Sequence, residues 1–139
     1  MTLISTQALT GSSITFPGIL SGFSRLLLDL DGMSFAANNG QLRYEYFDGT
    51  NWSPVSPAGG ATAAASVAQS GRIEFETPDA DAGIVRGVYG ALPASGQATA
   101  NSMSAVRLCA GGIQGLRISG WSGTTATTFD AGTATLSGE

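Results

Sequence analysis

The side chains able to do chemistry are few and narrowly chosen. Across 139 residues there are ten acidic groups and six cations, with no histidine and no lysine, so every cation is an arginine. A Ser-His-Asp triad, a Cys-His pair and a His-ligated metal all require an imidazole that this chain does not have. The single Cys109 allows neither an internal disulfide nor a cysteine cluster. Carboxylates remain, as the pairs Asp29/Asp31 and Asp79/Asp81. Paired carboxylates are what glycoside hydrolysis or a calcium site would use. Asp29 and Asp31 stand two apart and so share the solvent face of a strand, where arginines of adjacent strands would pair with them. Asp79-Ala80-Asp81-Ala82-Gly83 offers too few oxygen ligands for a calcium loop. No catalytic residue, metal or cofactor is expected.

Recognition chemistry has more to work with. Phe47-Asp48-Gly49-Thr50-Asn51-Trp52 contains an Asp-Gly turn signal. Two readings are open. In one, Trp52 is a sugar platform, with Asp48 and Asn51 hydrogen-bonding hydroxyls. In the other, a hairpin packs Trp52 over the end of the core. Trp121, between Ser119-Gly120 and Ser122-Gly123, anchors a loop or marks an interface. Arg25, Arg43, Arg72 and Arg107 each sit in a strand opposite its best apolar residues. A planar guanidinium suits protein interfaces, although a preference for arginine codons would explain the same choice without function.

These residues must be positioned by strands, because apolar side chains recur with a period of two. Ile14 and Phe16, then Leu26, Leu28 and Leu30, then Leu42, Tyr44 and Tyr46, then Ile73 and Phe75 alternate with polar neighbours. Half-buried antiparallel strands produce that pattern. Weaker runs follow at Gly83–Leu92, Met103–Ala110, Leu116–Ile118 and Gly132–Ser137, and one precedes at Leu3–Gln7. The offset between Ile113 and Leu116 suggests a bulge at Gly115. The best helical stretch is Ala61–Gln69, alanine-rich but short, which reads equally as a helical turn or a surface loop. The sum is an all-β, antiparallel β-sandwich of about eight strands in a single domain, 1–139. An immunoglobulin-like arrangement competes with a jelly roll, and the long connections Ser53–Ser70 and Ala91–Ser102 favour the jelly roll.

Charge narrows the partners. The net charge of -4 and scattered arginines argue against nucleic-acid binding through phosphates. No apolar run approaches the ~20 residues of a membrane span, so no membrane insertion is expected. Met1-Thr2-Leu3-Ile4-Ser5 lacks the positive region of a secretory signal.

Two terminal blocks carry a resemblance. Gly11-Ser12-Ser13-Ile14-Thr15-Phe16-Pro17-Gly18-Ile19 precedes the Arg25–Leu30 strand, and Ile113-Gln114-Gly115-Leu116-Arg117-Ile118 leads through Phe129-Asp130-Ala131-Gly132-Thr133-Ala134-Thr135-Leu136-Ser137-Gly138. This resembles small virion proteins of tailed bacteriophages, in which an ITFxGI strand opens a β-sandwich and an FxxGTxxLxG strand closes it. The match covers about a third of the chain. The resemblance implies a jelly-roll capsid decoration or fibre or spike subunit at the virion surface, assembled in the host cytoplasm. It also implies a homo-oligomer, a trimer by preference, docked on major capsid or tail proteins. A host surface glycan is the alternative partner, and the close of the pattern at Glu139 suggests a stand-alone module.

Overall fold

The computed structural model describes residues 1–16, 20, 22–47, 49–55, 64–79, 82–91, 99–107 and 114–139, with side chains described outside 53–55, 77–79, 82–91 and 99–107. Among the described residues there are eleven strands and no helix: β1 Thr2–Ala8, β2 Ser13–Phe16, β3 Arg25–Phe35, β4 Gly40–Phe47, β5 Trp52–Val55, β6 Gln69–Asp79, β7 Ala82–Ala91, β8 Thr99–Arg107, β9 Gly115–Ser122, β10 Thr125–Thr127 and β11 Phe129–Gly138. All pair antiparallel, in two sheets. The larger has the order β1-β11-β3-β6-β7-β8, the smaller β10-β9-β4-β5, with β2 also on β9.

This is a jelly roll. With the β7–β8 hairpin and the three-residue β10 set aside, eight strands remain. One sheet then holds the first, eighth, third and sixth of them, and the other the second, seventh, fourth and fifth. First pairs with last, second with seventh, third with sixth and fourth with fifth. The chain is thus one long folded-back hairpin, with its tip at β4–β5, rolled into two layers. The expected eight strands are the roll itself; the other three extend its edges.

Alternation along each strand fills the space between the layers. Leu26, Leu28, Leu30, Ile73, Phe75, Ala134 and Leu136 of the larger sheet face Ile14, Phe16, Leu42, Tyr44, Tyr46, Leu116 and Ile118 of the smaller, all in one buried cluster. The Tyr44 and Phe75 rings meet edge to face, their centroids 5.9 Å apart across the layers. At one end Phe35 stacks on Phe129, centroids 5.4 Å apart. The tyrosines of β4 are therefore core residues, as their position beside Leu42 predicts.

One open reading is decided and two expectations change. Residues 64–68 form a turn leading into β6, with Ser66 at a φ of 58°, and 61–63 lie outside the described residues. The Ser53–Ser70 connection begins as a strand, because β5 continues through Val55 against β4. No bulge interrupts Gly115, which pairs with Phe47 in unbroken register with the rest of β9. Its role lies in a close approach described below. Cys109 and Asp81 lie outside the described residues, as does the side chain of Asp79.

Candidate binding face on the smaller sheet

The β4–β9 register, built by residues some 70 positions apart, decides what the outer face of the smaller sheet displays. Gln41 stands opposite Trp121, Arg43 opposite Ser119, Glu45 opposite Arg117 and Phe47 opposite Gly115. These are the odd-numbered partners of the buried Leu42, Tyr44, Tyr46, Leu116 and Ile118, so all point away from the core. Phe47 also faces Trp52 across the β4–β5 pair, closing a hairpin whose turn includes Gly49 at a φ of 99°. That left-handed conformation is the one an Asp-Gly turn supplies.

Trp52 therefore lies across the outer surface of the sheet instead of capping the end of the core. Its ring is 5.2 Å from that of Phe47, centroid to centroid. The Arg117 guanidinium sits 4.4 Å from the indole centroid and donates through Nε to Glu45 Oε2 at 2.6 Å. Gly115 makes this packing possible. A Cβ there would come 3.1 Å from Phe47 Cβ and 3.4 Å from Trp52 Cη2, so that Phe47 would have to give by a few tenths of an ångström. The result is a row of ring, cation and carboxylate in which each group orients the next.

A second, separate unit repeats part of this design. The Arg43 guanidinium lies 4.0 Å from the centroid of Trp121 and donates to the Gly123 carbonyl at 3.1 Å. Trp121 Nε1 donates to Ser119 Oγ at 3.0 Å, which fixes the indole against its own strand. Gly115 and Trp121 are six positions apart on β9, or about 20 Å at the usual strand rise. The two indoles thus belong to opposite ends of the outer face of β9, Trp52 beside Gly115 and Trp121 at the other end.

The candidate residues separate as follows. Trp52, Trp121 and Arg43 share this face, and Asn51 is exposed in the turn beside Trp52. Asp48 lies outside the described residues. Arg25 and Arg72 are on the larger sheet. Arg25 Nε donates to Glu74 at 2.5 Å and Nη1 to Glu139 at 3.3 Å. Arg72 grips Asp29 with two bonds, of 2.6 and 3.2 Å, the cross-strand pairing expected for Asp29. Arg107 ends β8 opposite Gly83, and its side chain lies outside the described residues.

Sequence reasoning missed Glu45 and Arg117. Period two places each on an outer face, but their meeting depends on the long-range register. It also missed a polar knot at one end of the sandwich. The buried Ser34 and the turn residue Ser66 both donate their hydroxyls to Asp130, Ser66 to Oδ2 at 2.7 Å. The Ser34 bond, then the Ser66 bond, hold the Asp130 carboxyl below the ordinary carboxylate range. A depressed pKa means that the knot contributes its stability at neutral pH and loses it as pH falls through the lowered value. Among the described residues no group of three or more Cys, Asp or Glu is placed to hold a metal ion, and no helix is long and apolar enough to cross a membrane.

Comparison with known proteins identifies no family. No family model matches the chain, and no curated protein does. Among solved structures the chain is similar to Scytalido-glutamic peptidase, in a crystal structure with a peptide based transition state analog. The likeness spans 97% of this chain and 82% of that one, at 13% identity and a TM-score of 0.40. A superposition that loose carries no argument about activity.

Proposed function

We propose that the protein is a non-enzymatic structural module of a tailed-phage or phage-like particle, a capsid decoration or a fibre or spike subunit. It works by self-association, as a trimer by preference, and by docking on the capsid or tail proteins at the virion surface. The observation that carries this reading is the use made of the two terminal blocks. Ile14–Phe16 lies in β2 against β9, and Phe129–Gly138 is β11, between β1 and β3 in the larger sheet. Most described residues of both blocks thus lie in paired strands of the roll. The acidic groups fit a binding role: Asp29, Glu45, Glu74 and Glu139 are engaged by arginines, Glu74 and Glu139 by the same Arg25, and Asp130 by two serines.

The test is to purify particles from the source and locate the protein on them by antibody labelling, alongside its mass in solution. Fixed stoichiometry on the particle and an oligomer in solution are expected. A strict monomer absent from particles overturns the proposal.

A second reading, recognition of a host surface glycan, is favoured by the placement of Trp52 and Trp121 on one face. Binding on a glycan array that disappears in a folded Trp52→Ala variant would establish it. No binding to host polysaccharide would remove it.

A further inference from the structure

β1 ends the larger sheet. It is bonded to β11 on one side, and among the described residues no strand pairs with its other side. One bond shows which main-chain groups face outward. Leu9 N–H donates to the Gly132 carbonyl at 2.9 Å. In an antiparallel pair, successive residues turn their N–H and C=O alternately toward the neighbour and away. Gln7 stands opposite Ala134 and Ala8 opposite Thr133. Ser5, Gln7 and Leu9 therefore bond to β11, while Thr6 and Ala8 turn both groups to the open side.

Open edges are usually guarded by charge, proline or brevity. β1 has none of these guards: it runs seven residues as TLISTQA. By contrast, the edge strand β5 has four residues including Pro54, and β10 has three. The β1 bulge lies at Leu3/Ser5, which leaves Thr6 and Ala8 in its regular half. Gln7 Nε2 donates to the Thr15 carbonyl of β2 at 3.0 Å, so the edge is pinned to the other sheet and held extended. Met1 and Leu3, each 64% exposed, are the exposed large apolar side chains among the described residues, and they too are at this strand.

We infer that the open edge of β1 pairs antiparallel with β1 of a second copy, joining two larger sheets into one across a two-fold axis. Identical uncharged edges meet without repulsion, and the two-fold makes each hydrogen bond twice and uses up both β1 edges, so that the contact closes on itself. A contact of this length falls below the ~1,200 Å² typical of stable interfaces. The dimer is therefore weak in dilute solution and becomes firm where a lattice holds copies side by side. This two-fold contact is separate from any contact that builds the proposed trimer, and rests on that proposal only for its biological setting.

Residue-resolved amide exchange on the full chain, with mass measured at rising concentration, tests the inference. As one chain becomes two, the Thr6 and Ala8 amides should slow by roughly tenfold or more, while Ser5 and Gln7, already bonded to β11, change little. Ala8→Lys places like charges across the axis on an exposed position and should weaken the dimer by roughly tenfold or more. A chain that stays monomeric at high concentration overturns the inference. So does a dimer whose new protection falls on β8 or elsewhere while Thr6 and Ala8 stay fast. Should Ala8→Lys fail to fold, the exchange of the unaltered chain decides alone. Protection at Thr6 and Ala8 in a protein absent from particles removes the virion reading and leaves this one. Unprotected amides in a particle-bound protein do the reverse.

Discussion

On the larger sheet Arg25 and Arg72 reach across strands to Glu74 and Asp29, whereas on the smaller sheet Arg43 and Arg117 lie on the indoles of Trp121 and Trp52. The cation is the same and its partners differ. On the larger sheet the carboxylates raise the arginine pKa values, the hydrogen bonds to Glu74 and Asp29 being the leading cause. Their charge is answered locally. Leu27 stands among these pairs, opposite Glu74 and Ser137, and is only 5% exposed although it points away from the core. On the smaller sheet Arg43 has no carboxylate partner among the described residues, so ring, cation and main-chain carbonyl are displayed together. Aromatic rings and arginine are enriched in binding surfaces, and paired surface charges contribute little. Under the proposed glycan reading, the smaller sheet is the face that would make the contact.

The largest effect that would sharpen this contrast is on Leu27. Leu27→Ala should lower stability by about 2–4 kcal/mol, as for a core leucine, read as a shift in the urea midpoint at unchanged slope. A near-zero change would mean that the ion pairs around it are merely solvated, and the contrast would weaken. Next is Trp52→Ala. A half-buried indole packed on Phe47 and under Arg117 should contribute about 1–3 kcal/mol, and its loss should leave the Trp121 fluorescence unchanged. Movement of the Trp121 signal would show that the two units are one. The smallest effect is on Arg72→Ala. With both partners well exposed, it should cost about 0–1 kcal/mol, and any effect should fade as salt is raised. A larger, salt-insensitive loss would place Arg72 in the packing around Leu27.

Much of the architecture was legible in the residues. The period-two runs located the strands around Ile14, Leu28, Tyr44 and Ile73 and told their buried faces from their exposed ones, because alternation in a half-buried strand is a local property. Strand ends were less legible. β3 runs on to Phe35 and β6 starts at Gln69, since there the roll and its register shifts override local pattern. Leu27 was hidden for a similar reason: alternation assigns it to solvent, and only neighbours on β6 and β11 bury it.

What the chain determined by itself was chemistry and periodicity. With no histidine, one cysteine and arginine as its sole cation, it limits the reactions available, and its alternation demands a sheet. Which side chains meet was decided by the fold. Glu45 met Arg117 and Arg43 met Trp121 because the roll brought distant strands into one register. Such pairings are set by the burial of Leu42, Tyr44, Leu116 and Ile118 on the opposite side of the same strands. A slip of one residue would turn those side chains out to water, so the core fixes the outer face, and no local signal in the outer residues reveals it.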